Sequence, residues 1–87
     1  MMESSFEIVN ELGLHARPAA AFVKVASAYA SEIIVIKDDV PVNGKSILGV
    51  MTLAAEHGSL LTIRAEGDDA EAAVNALGTL IQRGFSE

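Results

Sequence analysis

Gly13-Leu14-His15-Ala16-Arg17-Pro18-Ala19-Ala20 places a titratable ring at the entrance to a helix. Proline is tolerated in the first helical turn, where backbone N–H groups have no intrahelical partner, so Pro18 marks a helix start within a residue or two. His15 therefore stands at or next to the N-cap. Downstream, Ala19, Phe22, Val23, Ala26 and Tyr29 or Ala30 recur three or four apart, as the apolar face of a helix running from Ala16 to about Ala30 would.

Outward from this helix the chain alternates strand and helix signals. Ser4 to Asn10 carries Phe6 and Ile8 with the period of two of a half-buried strand, and Glu11-Leu12-Gly13-Leu14 turns the chain. Glu32 to Lys37, rich in Ile and Val, predicts a second strand. Asp38-Asp39 supplies turn chemistry before Val40-Pro41-Val42, which belongs at a sheet edge because Pro41 has no N–H for a ladder. Asn43-Gly44 turns again, and Ser46 is placed to cap a short helix through Ile47, Leu48, Val50 and Met51 towards Ala55.

After the break at His57-Gly58-Ser59, Leu60 to Ala65 predicts a fourth strand, ended by Gly67. Asp68 with Glu71 resembles a capping box, and Ala73, Leu77, Leu80 and Ile81 mark the core face of a last helix that Gly84 stops. The order is βαββαβα. Helices with one apolar stripe and strands with one apolar face are satisfied together by a single sheet covered on one side, an open-faced sandwich. Nothing in residues 1–87 suggests a second domain, repeat or linker.

Composition narrows the function. The 87 residues are 51% apolar, enough for one small core. The absence of cysteine removes disulfide and thiolate-metal readings and fits a cytoplasmic setting. There is no signal-peptide pattern and no membrane-length apolar run. A net charge of −6 is the wrong sign for binding nucleic acid through its phosphates. On an acidic chain, Arg17, Lys24 and Lys45 are scarce positive charges expected to form a local cationic spot.

The first-turn amides of a helix carry the positive end of its macrodipole and suit an anion, phosphate above all. A neutral imidazole nitrogen is a competent nucleophile towards a phosphoryl donor. His15 is thus the candidate acceptor, the backbone of Ala16 and Arg17 the candidate phosphoryl cradle, and the Arg17 guanidinium a further ligand for its oxygens. No paired carboxylates, metal-ligand spacing or activated serine or cysteine accompany the motif, so an enzyme with its own substrate is disfavoured, and no metal or cofactor is called for.

Three segments closely resemble HPr, the histidine-containing phosphocarrier family of the bacterial phosphoenolpyruvate-dependent sugar phosphotransferase system. Gly13 to Ala19 looks like its active-site motif, Asn43 to Met51 like its regulatory-serine motif, and Gly58 to Asp69 like its last-strand segment. The resemblance implies an α+β fold, an open-faced β-sandwich of four antiparallel strands covered on one face by three helices. It implies that His15 takes a phosphoryl group on Nδ1 from enzyme I and passes it to an enzyme IIA component, with Arg17 steadying the phosphate, and that the carrier is a monomer. Ser46 matches the serine that an HPr kinase/phosphorylase modifies. The flanks Ile8 to Gly13 and Gly84 to Glu87 also look like NPr, the nitrogen-branch paralogue, whereas Lys45-Ser46-Ile47 resembles the sugar-type, kinase-regulated branch.

A phosphate on Ser46 would stabilise its helix while repelling an acidic partner; the plainer role is a helix cap. Ile47, Leu48 and Met51 cannot all point inward from so short a helix, and are expected to form part of an exposed patch that binds partner proteins. The alternative function is a non-catalytic regulatory module acting through phosphorylated Ser46 and that apolar helix. Phe22 and Tyr29 read as core, and His57 as a solvated loop residue.

Overall fold

A computed structural model of the chain describes residues 1–86. The elements are β1 (Met2–Glu7), α1 (Ala16–Ala26), β2 (Glu32–Lys37), β3 (Val40–Asn43), α2 (Ile47–Thr52), β4 (Leu60–Glu66) and α3 (Ala70–Gln82), followed by a 3-10 turn at Gly84–Ser86. The strands form one antiparallel sheet in the order β1-β4-β2-β3, with Met2 opposite Ala65 and Ile33 opposite the same residue from the other side. β3, with Pro41, is an edge strand.

Strand alternation sorts the two faces. Ile33 and Val35 of β2 and Leu61, Ile63 and Ala65 of β4 are fully buried, and they meet Ala19, Phe22 and Ala26 of α1 and Ala73, Val74, Leu77 and Ile81 of α3 in one core. The opposite face is left to pairs that tolerate water: Arg64 with Glu3 at 2.8 Å, and Ser5 with Thr62 at 2.8 Å. Helices therefore cover one face only, the α+β open-faced sandwich expected from the chain. Gly78 brings α3 close to the sheet, because a Cβ there would lie 2.3 Å from the ring of Phe6.

The short helix expected to run towards Ala55 ends at Thr52, and three further features depart from the sequence reading for a tertiary reason. The strand expected over Ser4 to Asn10 is shifted back, to Met2–Glu7. Ile8 is buried, but its N–H and carbonyl pair with Ser59 and Gly58, in the turn before β4. The first helix ends at Ala26 rather than near Ala30. Past that point the chain finds partners outside the helix: the Lys45 ammonium donates to the Tyr29 carbonyl at 2.7 Å, and the Ala30 and Ser31 amides donate to the Asp69 carboxylate at 2.8 and 2.9 Å.

The capping box at Asp68 does not form either. Asp69 is the N-cap of α3, and its carboxylate reaches across to residues 30 and 31 instead of capping its own helix. The Ser31 hydroxyl, itself buried, donates to the same carboxylate.

These bonds set a pH dependence. The Ser31 hydroxyl first, then the Ala30 amide, hold the Asp69 carboxyl below its ordinary value of 3.8, because they bind only the charged form. A carboxyl whose pKa is lowered on folding lends stability that is complete above its unfolded value and is lost as pH falls through the folded one. Thermal melts of wild type and Asp69→Ala are therefore expected to lie apart at pH 7 and to draw together only as pH falls below the ordinary carboxyl value of 3.8. A gap that keeps its width as pH falls below 3.8 would show that the charge on this carboxylate contributes nothing.

Candidate functional site

The chain enters α1 through a clamped turn. The Gly13 amide donates to the Asn10 carbonyl at 3.2 Å and the Asn10 side-chain amide to the Gly13 carbonyl at 2.7 Å, so residues 10–13 are closed from both ends. Gly13 has φ +69°, and a Cβ on it would lie 2.5 Å from the Ala55 carbonyl oxygen. That oxygen accepts the Leu14 amide at 2.8 Å. Leu14 is buried, and His15 follows directly on this anchored backbone.

His15 is the N-cap of α1, in extended conformation with φ −88° and ψ −168°, and its side chain makes no capping bond. Its carbonyl accepts the Ala19 amide at 2.9 Å, the first bond of the helix. The amides of Ala16 and Arg17 precede any helical acceptor, and Pro18, the third helical residue, has no N–H at all. Two backbone donors thus head the helix, and no acidic side chain in the first turn offsets its positive end.

The imidazole is half-buried, with Nε2 the buried ring nitrogen. Leu12, His15, Ala16 and Arg17 line an open cavity of about 550 Å³, with Arg17 and Ala16 exposed. The residues singled out at the helix entrance are therefore brought together. Leu12, which the sequence reading passed over as part of a turn, joins them; its one signal was a large apolar residue at the centre of a turn that favours polar ones.

The rest of the expected site lies elsewhere. Ser46 is the N-cap of α2 and its hydroxyl accepts the Gly49 amide at 3.1 Å, so the capping role is present. Ile47, Leu48 and Met51 are 43%, 77% and 38% exposed, whereas Val50 between them is fully buried. The cationic spot expected of Arg17, Lys24 and Lys45 does not gather as one. Arg17 heads α1, while the Lys45 ammonium sits beyond its other end on the Tyr29 carbonyl, and an 11-residue helix is about 16 Å long. His57 is exposed in the turn before β4 and Phe22 is buried in the core, as expected, whereas Tyr29 is only partly buried and packs against the core's edge.

Among the described residues no cluster of three His, Asp or Glu side chains is placed to hold a metal ion, and no helix is long and apolar enough to cross a membrane. A shallow groove of about 400 Å³ between α1 and α3 is lined by Val25, Asn75, Ala76, Thr79, Leu80 and Arg83, with no histidine or carboxylate among them.

Gly13 gives the first test of how the site is held. Gly13→Ala must adopt a left-handed backbone against a carbonyl that cannot swing away, and is expected to cost about 2–3 kcal/mol. Urea unfolding at constant slope reads that loss; an unchanged midpoint would mean that the turn and Ala55 part freely.

The open-faced α+β sandwich thus sets His15 at the N-cap of α1, beside the backbone amides of Ala16 and Arg17. The family description that matches, over residues 2–83, is the PTS HPr component phosphorylation site. The phosphocarrier protein HPr of Neisseria meningitidis is 46% identical over 87 residues, covering 100% of this chain and 98% of the relative. A crystal structure of HPr from Thermoanaerobacter tengcongensis superposes with a TM-score of 0.96 at 50% identity, covering 100% of this chain and 98% of that one. A crystal structure of an HPr dimer from the same organism, also 50% identical and covering 100% of both chains, superposes with a TM-score of 0.80. The chain belongs to the HPr family of phosphocarrier proteins.

Proposed function

We propose that this phosphocarrier takes a phosphoryl group from the phosphohistidine of enzyme I onto Nδ1 of His15 and passes it to an enzyme IIA component, with no turnover of its own. The observation that carries the reading is the position of His15 as the N-cap of α1, beside the Ala16 and Arg17 amides and with Nε2 turned inward. Transfer is an in-line displacement. The Nδ1 lone pair forms a new N–P bond as the donor's N–P bond breaks, and the donor ring keeps the electron pair.

The chain supplies position and charge. The two amides and the Arg17 guanidinium stabilise negative charge on the phosphoryl oxygens in the transition state, where charge spreads over three equatorial atoms. The missing donor at Pro18 limits how firmly the phosphorylated state is held, which suits a group that must leave again.

Ser46 is the proposed regulatory phosphorylation site for an HPr kinase/phosphorylase, and Ile47, Leu48 and Met51 the partner-binding patch. A phosphate on Ser46 adds nearly two negative charges to a chain already at −6. The proposal is set in the cytoplasm, where phosphoenolpyruvate-charged enzyme I is found.

The test is intact mass after incubation with enzyme I and phosphoenolpyruvate. One acid-labile phosphate per chain is the expected result, discharged on adding the acceptor IIA protein. A folded protein that gains no mass with either the sugar-type or the nitrogen-type enzyme I would overturn the reading. Light scattering on the same sample reads assembly, expected as a monomer.

A further inference from the structure

Leu12 is 77% exposed at the lip of the His15 cavity. It occupies a central position of the turn closed by the Gly13 amide on the Asn10 carbonyl and by the Asn10 side chain on the Gly13 carbonyl. Such positions favour Gly, Asn, Asp and Ser. A leucine there adds nothing to the core and forgoes the local hydrogen bonds a polar side chain would make. The clamp also means that its backbone is already ordered, so little freedom is lost when the side chain is covered.

A phosphate group has no use for an apolar neighbour, and the cavity is too open to enclose a small organic ligand. What can cover Leu12 is the surface of a second protein that comes up to His15, and any protein delivering a phosphoryl group in line to the imidazole must cover this turn. We infer that Leu12 is a specificity-determining docking contact, which inserts into an apolar recess beside the phosphohistidine of the phosphoryl donor protein. This rests on the carrier reading above and deepens it. The reactive chemistry belongs to His15, and Leu12 sets which donor surface fits around it.

The division of labour predicts a split in the kinetics. Leu12→Asn, a turn-compatible polar replacement, is expected to raise the KM of the carrier for phosphorylated enzyme I at least about tenfold, the value of burying one leucine, with kcat little changed. Leu12→Met, which restores an apolar side chain of similar size, is expected to keep the wild-type KM. With phosphoramidate, a small donor with no docking surface, the Leu12→Asn protein should show far less than that tenfold loss.

An unchanged KM in Leu12→Asn would overturn the inference. So would a matching loss with phosphoramidate, which would place the effect on His15 itself. Wild type that reacts with phosphoramidate but with no enzyme I would instead overturn the carrier reading, and this inference with it.

Discussion

His15→Ala is expected to lose phosphoryl acceptance completely while keeping the fold. The loss is total because the histidine forms the covalent bond, and neighbouring donors cannot stand in for a missing nucleophile. His57, the other histidine, lies exposed in the turn before β4, and is not among the residues lining the cavity. His57→Ala should therefore carry phosphate like wild type. Arg17→Ala is the informative contrast: it leaves the nucleophile and removes a charge from the transition state, so acceptance should slow without vanishing. The first bond of α1 is made by the His15 backbone carbonyl, which the substitution retains, so the helix and the fold should persist. Residual acid-labile phosphate on a folded His15→Ala chain would place the acceptor elsewhere.

Phe22→Ala is expected to produce the largest loss of stability of any single truncation considered. Phe22 is fully buried and heads the largest side chains in the core, on the face of α1 turned to the sheet and α3. Truncating a buried phenylalanine costs about 3–5 kcal/mol, from lost transfer energy and the cavity left behind. A domain of this size is stable by only roughly 4–13 kcal/mol in all. The melting temperature should therefore fall on the order of 15–30 °C. Phosphoryl acceptance measured well below that lowered midpoint should stay near wild type, since Phe22 does not line the cavity. A loss under 1 kcal/mol would mean that the core collapses around the hole.

Much of this was legible in the residues. β2 was read with its observed limits, Glu32–Lys37, because six residues dense in Ile and Val between turn signals suit little else. Pro18 located the start of α1 within a residue or two, and with it His15 at or next to the N-cap it occupies, because proline tolerates so few helical positions. The unread parts depend on partners distant in sequence. The apolar rhythm of α1 continues to Tyr29, and only Lys45 and Asp69, arriving from elsewhere, draw the backbone out of the helix. Likewise, Asp68 and Asp69 are equivalent caps on paper until Ser31 comes within reach of one of them. Leu12 stayed unread because a single side chain in a turn has no period to detect.

The register that sets Met2 opposite Ala65 and Phe6 opposite Leu61 has a consequence for the nascent chain. β1 leaves the ribosome before any of its partners, and among the described residues its one neighbour in the sheet is β4. At 5–20 residues per second, close to sixty residues of synthesis separate the two, a wait of roughly 3–12 s. During it, the side chains that Met2 and Phe6 turn to the core have nothing to pack on. The sheet is completed late in translation or after it, and the growing chain must stay unaggregated until then.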